Sequence, residues 1–119
     1  MIPPPTRTLY ASTKASSLTL YQALAVEHPN IKFTFIIPST VEGDFRASAV
    51  DGGKVREADP NKHGLKRTAV AKRSIQAVDQ GEKFVFIPWA FGRFAHFFYW
   101  VAPSIVEHFA ARKYNFTPQ

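Results

Sequence analysis

The chain has 119 residues, which is enough for one modest domain with a single hydrophobic core. Its composition, 45% hydrophobic and 20% charged, excludes a disordered chain, and the lack of cysteine excludes disulfides, thiolate metal sites and a cysteine nucleophile. The net charge of +6 is scattered and accompanies no nucleic-acid-binding motif, so we expect no nucleic-acid partner. Three prolines follow Ile2, which argues against a signal peptide and for a protein that is not secreted.

The first predicted elements are a helix and a strand. Alanine and leucine recur at three- and four-residue spacing, which predicts a helix from Ser12 to Glu27, and Pro29 ends it. The segment from Ile31 to Ile37 is short, aromatic and β-branched. Its unbroken apolar end is typical of a strand that is covered on both faces in a parallel sheet. Pro38 closes this strand.

A long polar loop and a second helix follow. The loop runs from Ser39 to Gly64, and its length is typical of a lid or binding segment, which we place at residues 44–64. A helix is predicted from Leu65 to Gln80. Thr68 is its expected N-cap, and Gly81 is its expected C-terminal stop.

A second predicted strand gives an α/β pattern, but two strands are too few for a stable sheet. Phe84 to Ile87 is predicted as a strand, closed by Pro88. Helices and strands alternate, which indicates an α/β fold. Two parallel strands alone leave apolar edges uncovered. We therefore expect a fragment, a swapped oligomer or an obligate partner.

The residues from 89 to 119 form an aromatic extension. Its apolar stripe is predicted to comprise Phe91, Phe94, Ala95, Phe98 and Val101. Arg93, His96 and Pro103 interrupt the run before it is long enough to span a membrane. Two interpretations stay open, because the stripe can pack on the core or a second subunit, or it can lie in a membrane interface.

The end of the extension is predicted to be a last short helix. Ser104 and Glu107 follow Pro103 with the spacing of a capping box. His96 is expected to be a surface or interface histidine rather than a metal ligand, because no other ligand residues lie at useful spacing. We therefore expect no metal site.

Tyr10 and Lys14 are the residues that point to chemistry. Residues four apart on a helix share a face, so the Lys14 ammonium can stand near the Tyr10 phenol. A nearby cation favours the phenolate form of a tyrosine, which is what acid–base catalysis near neutral pH requires. The alternative is an ordinary helix in which the tyrosine packs and the lysine is solvated.

The sequence around this pair carries a family resemblance. The run YASTKASSLTLYQALAVEHPNIKFTFIIPSTVEGDF, from Tyr10 to Phe45, resembles the carboxyl half of the short-chain dehydrogenase/reductase family. It is most similar to membrane-associated or fungal reductases with an aromatic tail. The resemblance implies that residues 1–88 form the carboxyl-terminal part of a Rossmann-like, doubly wound parallel sheet domain, and that residues 89–119 are an extension.

The resemblance also implies roles for five residues. Tyr10 exchanges a proton with a carbonyl or alcohol substrate, and Lys14 activates it and binds the nicotinamide ribose of NAD or NADP. Pro38 and Ser39 begin the loop that lies against the nicotinamide. The backbone of Val41 contacts the carboxamide. Ser39 stands where the family usually has glycine.

The resemblance does not extend to the upstream half of the family's site. The family's catalytic serine and asparagine and its glycine-rich phosphate loop precede the tyrosine, whereas the first glycine here is Gly43, where the family often has threonine. We therefore expect a fragment of an NAD(P)-dependent oxidoreductase that is inactive or weakly active alone. The alternatives are a non-catalytic interaction or membrane-surface module and an incomplete gene model. We expect a cytoplasmic location or a peripheral one on an intracellular membrane, and a homo-oligomer or a membrane surface is the expected macromolecular partner.

Overall fold

The computed structural model describes residues 5, 7–43 and 60–113. This part of the chain is α/β and mostly helical, with one two-stranded parallel sheet, so the coarse fold class is confirmed. Its elements in chain order are α1 (Thr8–Glu27), β1 (Phe35–Pro38), α2 (Pro60–His63), α3 (Arg67–Asp79), β2 (Phe84–Ile87), α4 (Trp89–Val101) and α5 (Pro103–Lys113).

The two strands pair in parallel, as predicted, with Phe35 opposite Phe84. The amides of Phe35 and Ser39 each donate a hydrogen bond of 2.8 Å to a carbonyl of the β2 segment. Alternate residues of a strand face its partner, so the backbone of Pro38 faces away from β2. A proline is tolerated there because the missing N–H removes no ladder hydrogen bond.

The predicted bounds and burial of the first strand are wrong. Strand geometry begins at Phe35 rather than Ile31, and residues 35–37 are half-buried instead of covered on both faces. The reason is the placement of the helices. Both α3 and α4 pack against β2, whereas no helix in the described ranges packs extensively against β1.

The core is correspondingly small and lies around β2. Within residues 7–43 and 60–113, Ala77 of α3 and Val85 of β2 are the buried residues, at 0% and 2% exposure. Phe86 contacts the His96 ring of α4 at 5.1 Å between centroids. Successive strand residues point to opposite faces, so Val85 and Phe86 place packed side chains on both faces of β2.

Two helices differ from their predicted ends. α1 begins at Thr8 rather than Ser12, and it ends at Glu27 as predicted. α3 runs from Arg67 to Asp79 rather than from Leu65 to Gln80. The earlier start of α1 matters most, because it places Tyr10 inside the helix.

The predicted glycine stop of α3 is confirmed. Gly81 has a positive φ of 66° and donates its amide to the Val78 carbonyl at 3.0 Å. The next amide, that of Glu82, donates to the Ala77 carbonyl at 2.9 Å. These two hydrogen bonds form a Schellman motif, in which glycine adopts the left-handed conformation without a steric penalty from Cβ.

Of the interpretations left open for the apolar stripe of α4, packing on the core is wrong for Phe94, Phe98 and Val101, which are exposed. The side chain of Phe91 lies outside the described residues. The helix turns Gly92, Ala95, His96 and Tyr99 toward the protein, and these residues are half-buried. The reason is steric, since a Cβ on Gly92 would lie 2.7 Å from the Cβ of Phe86. The opposite side is exposed, and we call it the aromatic face: Trp89, Phe94, Phe97, Phe98, Trp100 and Val101.

The predicted capping box is also wrong. α5 begins at Pro103, which places Ser104 inside the first turn instead of at the N-cap. Proline is well suited to the first helical position, because an N–H there would have no intrahelical acceptor and proline lacks one. Glu107 contacts α4 instead, since its Oε1 accepts a hydrogen bond of 3.4 Å from the Tyr99 hydroxyl.

The predicted lid is described only at its end. Residues 60–63 form α2, a short helix within the segment predicted as a loop. The remainder of that prediction, residues 44–59, lies outside the described residues.

An ion pair joins α3 to the turn before β2. Two contacts link the Arg73 guanidinium and the Glu82 carboxylate, at 2.7 and 2.8 Å. The contact between Nη2 and Oε2 is a charge-assisted hydrogen bond, and the contact between Nη1 and Oε1 is an ion-pair contact without hydrogen-bond geometry. The hydrogen bond from Arg73 lowers the pKa of the Glu82 carboxyl below its ordinary value.

The lowered pKa predicts a pH-dependent stability. A depressed folded-state pKa stabilises the fold above the unfolded pKa, near 4.3, and this contribution is lost as pH falls through the folded-state pKa. We expect Glu82→Gln to lower the thermal unfolding midpoint by a few degrees at pH 7 and to lower it less at pH 3, where more of the Glu82 carboxyl is protonated. Circular dichroism melts from pH 7 to 3 measure this difference.

A matched control is Glu27→Gln, because Glu27 is exposed at the end of α1 and has no ion pair within the described ranges. Its midpoint should follow that of the parent chain at each pH. A Glu82→Gln difference that stays constant from pH 7 to 3 would contradict the assignment of this stability to the ion pair.

Candidate functional site

The candidate site begins in the first turns of α1. The Ala11 amide donates to the Arg7 carbonyl at 2.8 Å, which closes the first helical turn. The hydroxyls of Ser12 and Thr13 donate back to the carbonyls of Thr8 and Tyr10, at 2.9 and 2.8 Å. These hydroxyls are therefore engaged with the backbone, whereas the Tyr10 phenol makes no intrahelical hydrogen bond.

Tyr10 and Lys14 are brought together, as their spacing predicts. The Lys14 Nζ lies over the Tyr10 ring, 5.6 Å from its centroid. An exposed contact of this kind contributes roughly 0.5–1 kcal/mol. Neither the phenol hydroxyl nor the ammonium hydrogen-bonds another residue in the described part of the chain. Both groups remain available to a ligand.

The exposure of this pair limits its chemistry. The Tyr10 side chain is 47% exposed, so water screens the ammonium from the phenol. The pair can donate and accept a proton, but efficient acid–base catalysis needs a ligand or a further protein surface that excludes water.

The second part of the site lies after β1. Val41 forms an isolated parallel bridge with Leu65. The bridge hydrogen bonds use the neighbouring backbone, since the Leu65 amide donates to Thr40 and the Glu42 amide donates to Leu65, both at 2.9 Å. The backbone amide of Val41 has no hydrogen bond to any residue within the described ranges. This amide is therefore free to contact a ligand at the carboxyl end of the sheet.

The start of this loop is held by the sheet. Pro38 is the last residue of β1 and is exposed, and the Ser39 amide is already engaged with the Ile87 carbonyl. Ser39 is therefore positioned through its backbone, and its side chain is half-buried. The sheet fixes where the segment from Ser39 to Val41 leaves the fold.

The structure does not join the two parts of the site. α1 packs extensively against neither strand, and no hydrogen bond or ion pair in the described ranges links Tyr10 or Lys14 to the segment from Ser39 to Val41. Within the described residues, the aromatic contact of α1 is between Tyr21 and Phe33, at 6.3 Å between ring centroids, near the carboxyl end of the helix. The proximity that the resemblance implies is therefore still a prediction.

Glu42 is a residue of this segment that the sequence did not predict to be important. Its carboxylate accepts a hydrogen bond of 3.0 Å from the Arg67 amide, at the N-terminus of α3. A carboxylate there satisfies a free amide and interacts favourably with the helix dipole. The predicted N-cap Thr68 lies inside the helix and makes no capping bond. A sequence signal for this cap was lacking, because Glu42 lies 25 residues before its partner.

A metal centre has no support in the described residues. They contain no group of three or more histidine, cysteine, aspartate or glutamate side chains that could hold a metal ion. His96 is used in packing, since its Nδ1 lies 2.8 Å from the Gly92 carbonyl oxygen and its ring contacts Phe86.

Comparison with known proteins gives no match to a family model, to a curated protein or to a solved structure. The groups of this site that can take part in chemistry are the exposed Tyr10–Lys14 pair and the free amide of Val41.

Glu42 provides a test of how this segment is held. We expect Glu42→Ala to weaken the first turn of α3 by about 1 kcal/mol, the usual cost of losing an N-cap. Amide hydrogen exchange at Arg67 should quicken about fivefold. Glu42→Gln keeps an oxygen acceptor, so it should destabilise the first turn of α3 less than Glu42→Ala does. The control is Thr68→Ala, which should leave exchange at Arg67 unchanged, and equal effects of both alanine variants would contradict the assignment.

Proposed function

We propose that this chain is the carboxyl-terminal part of a short-chain dehydrogenase/reductase catalytic unit with a Rossmann-like sheet. The unit acts on a carbonyl/alcohol pair with NAD or NADP. The observation that carries the proposal is the Lys14 ammonium lying 5.6 Å from the ring centroid of an exposed, unbonded Tyr10. The parallel order of β1 and β2, each ended by a proline, supports it.

The residues present fit one end of a nicotinamide cofactor. The Lys14 ammonium is a donor for ribose hydroxyls, and the free amide of Val41 is a donor for a carboxamide oxygen. A glycine-rich cradle for the pyrophosphate is absent from these 119 residues ahead of Gly43. The proposal therefore assigns to this chain the nicotinamide–ribose contacts alone.

The proton chemistry follows from the same geometry. A nicotinamide held by Lys14 and the Val41 amide would supply the hydride in one direction and accept it in the other. In the reducing direction the Tyr10 hydroxyl donates its proton to the carbonyl oxygen, and Lys14 stabilises the resulting phenolate. In the oxidising direction the Tyr10 phenolate accepts the proton of the alcohol. Lys14 keeps its proton in both directions and acts through its charge.

Exposure sets the expected activity of the chain alone. Tyr10 is 47% exposed, and no described helix or strand packs extensively against α1. Water at the phenol screens the charge of Lys14, and it competes with the substrate for the phenol proton. We therefore expect weak turnover or none without a further protein surface.

A second candidate is a non-catalytic interaction or membrane-surface module. The observation that favours it is the aromatic face of α4, which has no cover within the described part of the chain. This candidate requires no nicotinamide binding, so ligand binding separates the two.

A nuclear magnetic resonance titration tests the catalytic proposal. Reduced nicotinamide mononucleotide, at millimolar concentration, should shift the amide resonances of Tyr10, Lys14 and Val41. ADP should shift none of them, because the proposal places the pyrophosphate contacts outside this chain. Lys14→Met should abolish the shifts. The matched control is Lys32→Met, an exposed lysine outside α1, which should leave them intact.

Two results would count against the proposal. One is the absence of shifts at Tyr10, Lys14 and Val41, and the other is an equal response to ADP. Where a carbonyl panel with NADPH or NADH gives turnover, Tyr10→Phe should reduce the rate by about 10²–10⁴-fold, the usual contribution of a general acid. Retention of the rate would exclude Tyr10 as the proton donor.

A further inference from the structure

The aromatic face is a large apolar surface that no residue of the described ranges covers. Its exposed fractions range from 53% for Phe98 to 88% for Trp100. The opposite side of α4 packs against β2, so the face is presented outward by a fixed support. Exposed apolar patches of this kind mark contacts with another protein or with a membrane. The surrounding charges distinguish these two occupants.

Positive charge borders the aromatic face at the start of α4. The Arg93 guanidinium lies over the Trp89 ring, 5.4 Å from its centroid, and both side chains are exposed. Between residues 89 and 113 the acidic residue is Glu107 alone, and it is engaged by the Tyr99 hydroxyl. Rings with a bordering guanidinium complement an anionic headgroup layer, because arginine pairs with phosphate and tryptophan prefers the membrane interface.

α5 repeats the same pattern. Ile105 and Phe109 are 58% and 63% exposed, and they lie four residues apart. Arg112 follows three residues later, so helical spacing places it on the same side as these two side chains. The half-buried residues of α5, which include Val106 and Ala110, lie on a different side. Apolar side chains and a cation therefore occur together on both terminal helices.

A second copy of this chain is a poorer occupant. A two-fold contact through the aromatic face would bring Arg93 of both copies to one interface. The terminal helices offer Glu107 as their one acidic residue, so these cations would lack opposite charges. Like charges at an interface are costly. Charge complementarity thus favours an anionic surface.

The length of α4 determines how it can meet a bilayer. Its 13 residues extend over roughly 20 Å, less than the hydrocarbon thickness of about 30 Å. No helix within the described ranges is long and apolar enough to cross a membrane. A bound α4 therefore lies along the surface.

We propose that the aromatic face docks this chain on the surface of an anionic lipid bilayer. Its rings enter the boundary between headgroups and acyl chains, and Arg93 and Arg112 contact lipid phosphates. In an isolated amphipathic helix a polar face meets water, whereas here the protein itself covers that side of α4. This proposal does not rest on the catalytic one, since it involves neither Tyr10 nor Lys14.

Intrinsic fluorescence tests the proposal directly. The two tryptophans of the chain, Trp89 and Trp100, both belong to the aromatic face, at 63% and 88% exposure. Vesicles of phosphatidylcholine with 30% phosphatidylserine, a fraction of roughly the scale of anionic leaflets, should shift their emission to the blue. Lipids brominated near the headgroup should quench it. Vesicles of phosphatidylcholine alone should bind more weakly, and 1 M salt should reduce the difference.

Co-sedimentation with the same vesicles identifies the surface. Phe94→Ser with Phe98→Ser should lower the partition coefficient by about tenfold or more. The matched control is Ile75→Ser with Val78→Ser, because these α3 side chains are 65% and 61% exposed but lie outside the aromatic face. The control should bind as the parent chain does.

Charge reversal provides a second, milder variant. Arg93→Glu should weaken binding to the phosphatidylserine vesicles, whereas Lys83→Glu, with the same change in net charge at an exposed site beside β2, should weaken it less. Circular dichroism establishes that each variant keeps its helices. If the serine pair fails to fold, Arg93→Glu and the quenching of the unaltered chain still decide the question.

Three outcomes would overturn the proposal. The first is no blue shift and no sedimentation with phosphatidylserine vesicles. The second is an equal loss of binding in both serine pairs. The third is a dimer in analytical ultracentrifugation that the double variant Phe94→Ser with Phe98→Ser converts to a monomer, in a chain that does not bind vesicles. This result would assign the aromatic face to a second copy of the chain.

Discussion

The close approach of α4 to β2 is the contact on which the described fold most depends. Gly92 lets the helix lie against Phe86, because any Cβ at that position would meet the Phe86 Cβ at 2.7 Å. On the other face of the strand, Val85 is buried together with Ala77 of α3. Since these two are the buried residues of the described ranges, β2 is where the apolar burial that stabilises the fold is concentrated. The aromatic face follows from this contact. Because the side of α4 that carries Gly92 lies against β2, the bulky rings on the opposite side face outward.

β1 shows the opposite condition. Its first three residues are half-buried, and its ladder with β2 is complete on one side. On the outer side, Thr34 and Ile36 direct backbone groups away from β2, and Pro38 limits how far a further strand can pair. The amide of Val41, just beyond, is also without a partner in the described ranges. The outer edge of the sheet and the free amide of Val41 therefore lie along the same part of the chain.

Short-range patterns in the sequence predicted the helices and strands. The features that they did not predict depend on contacts between residues that are distant in sequence. Gly81 ends α3 as predicted, because a left-handed glycine cap is a property of a few consecutive residues. The cap by Glu42 was not predictable, since it requires the bridge between Val41 and Leu65 to bring distant residues together. The sequence left open which side of α4 faces the protein, for a related reason. Its rings made the stronger apolar stripe, but the small Gly92 determined which side could approach β2.

The tail and the candidate ligand contacts are physically connected. α4 follows β2 directly through Pro88, and the Lys113 ammonium at the end of α5 donates to the Thr40 hydroxyl at 3.5 Å. Thr40 in turn accepts from the Leu65 amide in the bridge that flanks Val41. These two hydrogen bonds link the end of α5 to the backbone beside the free amide. The terminal helices therefore contact the loop at the carboxyl end of β1, whereas Tyr10 and Lys14 lie on a helix that does not share in this packing.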